Sequence, residues 1–152
     1  MTDTLSRRVL AHVGSLEEIE MHDFLCCKRL AETEKINPEF RAALLWNLRR
    51  LLPTSVSTHA SQWTGYGLRP LQVADRTDSP FYESLAEAVE RNLDYVIATQ
   101  EDDGSWAPTW NWGGQHPDDW EAQKGESAGW LTVDNLLALK EHGHIEGYCP
   151  EI

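Results

Sequence analysis

The chain has 152 residues, enough for one domain that buries roughly 70% of its unfolded surface. Its 25 acidic residues against 13 basic ones leave a net charge of −12, a field that repels phosphate backbones and anionic lipid headgroups and argues against nucleic acid or membrane surfaces as partners. Three cysteines, Cys26 and Cys27 adjacent and Cys149 apart, give neither a disulfide framework nor a CxxC metal pattern, which points to a reducing cytoplasm.

Residues 5–13 read as a short helical lead that Gly14 breaks. Ser6-Arg7-Arg8 has the opening of a twin-arginine export signal, but the apolar run behind it is short and soon meets Glu17, Glu18 and Glu20, so no export segment is expected. No run of about 18 apolar residues occurs, so no membrane span is expected either. Ser15-Leu16-Glu17-Glu18 has the capping-box arrangement and predicts a helix to about Ala31, with Leu16, Ile19, Phe24, Leu25, Cys26 and Leu30 as a broad apolar stripe. Asn37-Pro38 supplies a cap and a first-turn proline for the next helix, which carries Phe40, Ala43, Leu44, Trp46, Leu48 and Leu51 to Pro53.

Residues 54–78 hold Gly65, Gly67 and Pro70 without a sustained period and read as a long ordered loop pinned by Trp63, Tyr66 and Leu68. Ser79-Pro80 repeats the cap-plus-proline start, and Leu85, Val89, Leu93, Val96 and Ile97 recur at helical spacing in what is expected to be the longest helix, ending near Thr99. Beyond an aromatic turn, residues 127–141 predict a last helix with Trp130, Val133, Leu136 and Leu137 inward and Gly143 as its stop. No stretch alternates as a strand would. The expected fold is all-α, a single domain over residues 1–152 built from helical hairpins.

The turn itself carries a motif. Gln100, three residues, Gly104, one residue and Trp106 close the helix that ends near Thr99, and this resembles the QW repeat of the squalene-hopene cyclase and prenyltransferase superfamily. The continuation Trp110 to Gly114, then Gly125 to Gly143, is similar to the end of uncharacterised bacterial proteins of that repeat family, so the resemblance spans residues 16–147. It implies an α/α-toroid of stacked hairpins in which Gln100 and Trp106 brace the rim and take no part in chemistry. It does not carry over a catalytic set. The family's Asp-x-Asp-Asp acid meets Gln100-Glu101-Asp102-Asp103 here, with Gln in place of the first Asp, and its Asp-Asp-x-x-Asp magnesium motif meets Asp118-Asp119 followed by Trp120, Glu121 and Ala122. Whether the chain is an enzyme stays open, and any reaction would be of cyclase or prenyltransferase type.

Several residues have both a functional and a plain structural reading. Trp63, Tyr66, Trp110, Trp112 and Trp120 could line an aromatic pocket for an isoprenoid-type ligand, whose carbocations such rings stabilise, or they could simply pack the loops. Asp118, Asp119, Glu121 and Glu126 could supply a carboxylate pair as in sugar-cleaving toroids, while an acidic helix start explains Asp118 and Asp119 equally well. His22, Asp23, Cys26 and Cys27 lie close in sequence, yet adjacent cysteines on a helix point about 100° apart and do not grip one metal comfortably. No metal and no cofactor is expected. His12, His59, His116, His142 and His144 are dispersed without metal spacing.

A closed toroid of this kind takes about six hairpins of about 45–50 residues each, so the chain holds about half a ring. Half a ring leaves an apolar edge, which implies a homodimer, a partner subunit or a missing upstream half to complete it. Two functions from different classes remain: a terpenoid-cyclase-like domain binding an apolar small molecule, and a non-catalytic interaction or scaffold domain. A carbohydrate-active toroid is a third.

Overall fold

The computed structural model describes residues 2–145, so Cys149 and the end of the QW-family resemblance lie outside the described residues. Six α-helices follow in order, α1 (Thr2–Ser15), α2 (Met21–Glu32), α3 (Pro38–Ser55), α4 (Pro70–Val73), α5 (Tyr82–Ala98) and α6 (Pro117–Glu141), with one 3-10 turn at Ala60–Gln62. Among the described residues there is no strand, as the lack of alternation predicts. The chain divides into two compact units, Met1–Ser57 and Thr58–Ile152.

In the first unit α3 packs against both α1 and α2. Its start is the one read from the sequence: Asn37 precedes Pro38 and its side-chain oxygen accepts from the Phe40 amide at 2.9 Å, satisfying an orphan donor of the first turn. Phe40, Leu44, Leu48, Leu51 and Leu52 are buried from this helix, as are Val13 from α1 and Phe24 and Ala31 from α2. Trp46, expected inward, is exposed instead, and the buried polar position is the next one, Asn47, whose amide donates to the Ala43 carbonyl.

The expected helix start at Ser15 is wrong. Ser15 instead ends α1, with its hydroxyl donating to the His12 carbonyl, and α2 begins at Met21 with Glu20 as its cap. Tertiary bonds from α3 explain the difference. Arg50 donates to the Leu16 carbonyl at 2.8 Å, Thr54 donates to the Glu17 carbonyl at 3.0 Å, and the Ile19 amide donates to the Ser55 hydroxyl. These bonds hold the backbone of residues 16–19 as a strap across α3, and backbone groups so engaged are taken from a local helix. The α2 stripe shifts accordingly: Phe24, Lys28 and Ala31 are buried, while Cys26 and Leu30 face outward.

In the second unit the loop from residue 58 is anchored by Trp63, fully buried, and by Leu68, whereas Tyr66 stands mostly exposed. The loop delivers the four-residue α4 onto the middle of α5, where the buried Asn92 side chain accepts from the Leu71 amide. Ser79 is not the cap of α5. Its buried hydroxyl accepts from the Phe81 amide and donates to the Val73 carbonyl, which delays the helix to Tyr82. From there Leu85, Val89, Leu93 and Val96 are buried as expected, while Ile97 is not.

The longest helix is α6, at 25 residues, not α5 at 17. It begins with the acidic turn Asp118-Asp119, favourable beside the positive end of the helix dipole, and it closes on Gly143. At φ 75° Gly143 adopts the left-handed conformation that only glycine takes freely, and the amides of His144 and Gly143 return to the carbonyls of Leu139 and Lys140. This is a Schellman stop, and the sequence signal for it was Gly143 alone. The end of α6 lies along the first half of α5, with the His142 and Tyr82 rings 5.7 Å apart and His144 3.9 Å from Glu90. The two helices therefore form an antiparallel hairpin.

Candidate functional site

The QW turn is the joint of that hairpin. Gly104, at φ 85°, lets the chain reverse within four residues, and the Gln100 amide spans the reversal by donating to the Gly104 carbonyl at 3.0 Å. Trp106 is buried, and its indole N–H donates at 2.7 Å to the Val96 carbonyl in the last turn of α5, a shorter bond than the 3.3 Å ones that carbonyl also accepts from Thr99. Its backbone amide reaches across to the Thr132 hydroxyl of α6. Gln100 thus secures the turn itself, and Trp106 fastens α5 to the turn and the turn to α6. The Asp103 carboxylate, kept below the usual carboxylate range by the Ser105 hydroxyl and then by the Ser105 amide, stiffens the same reversal.

Beside this joint lies a concavity of about 210 Å³ whose walls include Arg69, Tyr95, Trp106, Trp110 and Leu131. Arg69 organises it. Its guanidinium donates to the Trp63 carbonyl and to the Thr109 hydroxyl and lies 6.0 Å over the Tyr95 ring, so one side chain links the long loop, α5 and the aromatic turn. Burial lowers the Arg69 pKa from its ordinary value, partly offset by Tyr95. Little in the sequence signals this role, since a single arginine between Gly67 and Pro70 has no periodicity to reveal what it faces.

The eight residues proposed from the sequence as ligand contacts do not converge. Trp63 is core, meeting Tyr95 edge to face at 5.3 Å, and Tyr66 is on the exposed part of its loop. Trp110 lines the Arg69 concavity. Trp112 and Trp120 meet with ring centres 5.5 Å apart and planes tilted by 54° over a second, shallow concavity of about 300 Å³ at the start of α6. Asp118, Asp119 and Glu126 are exposed along α6, Asp119 3.8 Å from His116 and Glu126 accepting from Gln123. Seven helical residues from Asp119 to Glu126 rise about 10 Å on an open surface.

No group of three or more His, Cys, Asp or Glu side chains is placed to hold a metal among the described residues. Cys26 is exposed and Cys27 half-buried, and burial, then the Asp23 charge, then Cys26 raise the Cys27 thiol above its ordinary value. A raised thiol is a poor nucleophile at neutral pH. No helix among the described residues is long and apolar enough to cross a membrane.

The feature that sequence reasoning placed wrongly is the outer face of α6. Trp130, Val133, Leu136 and Leu137 were expected inward, and they are 59%, 56%, 41% and 51% exposed. The helix turns its other side to the unit: Leu139 is buried, and Leu131, Thr132 and Asn135 are half-buried. With about 100° between successive residues, these four and Glu126, Gly129 and Lys140 share one stripe running obliquely opposite Leu131 and Asn135.

No family model, no curated protein and no solved structure matches this chain.

Proposed function

We propose that the chain is a non-catalytic interaction module that presents the outer face of α6 to another protein surface. One observation carries this reading: four large apolar side chains are exposed side by side on a helix whose opposite side already holds it to its unit. Contiguous exposed apolar surface of this kind marks interaction sites in folded proteins, whereas isolated exposed apolar residues need no explanation. The test is a comparison of W130S/L137S with the unaltered chain. Association with a partner is expected to disappear while the thermal midpoint stays put, and a midpoint that falls as far as that of a core variant would contradict the reading.

A second reading keeps the apolar small-molecule ligand of the toroid families, supported by the aromatic walls of the Arg69 concavity. In this reading the α5–α6 hairpin is one unit of a partial ring. At about 210 Å³ the concavity is below the roughly 300–1,000 Å³ usual for ligand pockets, so it suits a single planar ring better than a long isoprenoid chain. Titrating tryptophan fluorescence with an aromatic carboxylate and with an isoprenoid diphosphate separates the two sizes. A response to neither removes this reading.

A further inference from the structure

We propose that the occupant of the α6 face is a second copy of this chain, docked antiparallel across a two-fold axis that passes by Val133. The inference rests on the interaction-module reading and names its partner. A two-fold axis at Val133 pairs each position with the one equally far on the other side of that residue in the second copy. Trp130 then meets Leu136, Leu137 meets Gly129, and Glu126 stands opposite Lys140 at both ends of the apolar centre. A stripe with acid at one end and base at the other is complementary to itself only when reversed. In a parallel pairing, Glu126 would face Glu126 and Lys140 would face Lys140.

Gly129 lies on the same stripe and leaves room for this arrangement. A side chain added there would meet nothing within 4 Å in the chain itself, so no internal packing requires glycine in the middle of α6. Glycine inside a helix is destabilising relative to alanine, and a position with no side chain is where another helix can come close. The two-fold arrangement puts Leu137 of the second copy over that gap.

Area sets the expected strength. Scaling the four exposed fractions by roughly 200 Å² for a whole Trp and about 100 Å² for an aliphatic side chain gives about 270 Å² of apolar surface per copy, before the stems of Glu126 and Lys140 are added. Stable interfaces bury about 800 Å² per partner, so at about a third of that this face supports a weak, reversible dimer and not an obligate one. Since each copy carries a charge of −12, salt screens their mutual repulsion, and moderate ionic strength is expected to strengthen the dimer.

The test is sedimentation of the full chain over a range of concentrations, together with Val133→Glu, Glu126→Lys and Lys140→Glu. A concentration-dependent dimer is expected, weakened about thirtyfold or more by Val133→Glu, which sets two carboxylates together at the axis. Glu126→Lys and Lys140→Glu are each expected to weaken self-association, and an equimolar mixture of the two is expected to restore it, because every end pair in the mixed dimer is of opposite sign. Circular dichroism establishes that each variant keeps its helix content. Mixing without restoration overturns the antiparallel register. A monomer at every concentration that captures some other protein through Trp130 and Leu137 overturns the second-copy inference and leaves the interaction-module reading standing; a monomer whose face captures nothing overturns both.

Discussion

Helices α5 and α6 are two arms of one hairpin, and each carries large apolar side chains at helical spacing. In α5 the stripe is absorbed: Leu85, Val89, Leu93 and Val96 are buried. In α6 the comparable residues Trp130, Val133, Leu136 and Leu137 are open to solvent, and Leu139 alone among the described residues of that helix is buried. The contrast teaches that periodicity reports the existence of an apolar face and says nothing of what covers it. A core and an interface place the same demand on the sequence.

The largest difference between the two arms should come from removing one large side chain from each. Trp106→Ala takes away a buried indole and leaves the Val96 carbonyl only the longer 3.3 Å bonds from Thr99, and it is expected to cost about 3–5 kcal/mol in chemical denaturation. Trp130→Ala on the exposed face should change monomer stability by no more than about 0.5 kcal/mol. Equal losses at the two positions would erase the distinction between a packed and a presented face.

A glycine pair sharpens the comparison at smaller scale. Gly104→Ala forces a side chain into the left-handed region at φ 85° and is expected to destabilise by about 1–2 kcal/mol. Gly129→Ala, in ordinary helix with open space around it, should stabilise the monomer by about 0.5–1 kcal/mol while weakening association. Thermal melts in dilute solution give both signs, and a destabilising Gly129→Ala would mean that the face is already occupied within the chain.

The smallest effect concerns pH. Because Asp103 has its pKa lowered in the folded chain, chiefly by the Ser105 hydroxyl, its contribution to the turn is present above the unfolded carboxylate value of about 3.9 and is lost as pH falls through the lowered folded value. Asp103→Asn should remove that part of the acid dependence and leave the α6 face unaffected. Carbon-detected NMR titration of the Asp103 carboxyl checks it, and a midpoint at or above the ordinary carboxylate value contradicts it.

What the sequence revealed and what it hid divide along range. Asn37-Pro38, the Gln100-Gly104-Trp106 turn, Asp118-Asp119 and Gly143 were legible because cap, turn and stop chemistry is settled within a few residues. The strap at residues 16–19 was not, because the donors that hold it, Arg50, Thr54 and Ser55, lie more than 30 positions away. Arg69 was missed for the same reason, its partner Thr109 being 40 positions along the chain. The outward face of α6 was misread because four well-spaced apolar residues satisfy the pattern of a core helix, and only their exposure in the folded chain separates the cases. Of the proposed contact residues, Trp63 belongs to the core and Trp110 to the Arg69 concavity, a split that aromatic content alone does not foretell.

Hydrogen exchange of the full chain, recorded dilute and concentrated, tests most directly whether the α6 stripe is presented to a second copy. Amides from residue 122 to 140 are expected to gain protection as concentration rises, with the Gln100–Trp106 turn unchanged. Protection in α6 that is independent of concentration and as deep as that of α5 would contradict the account.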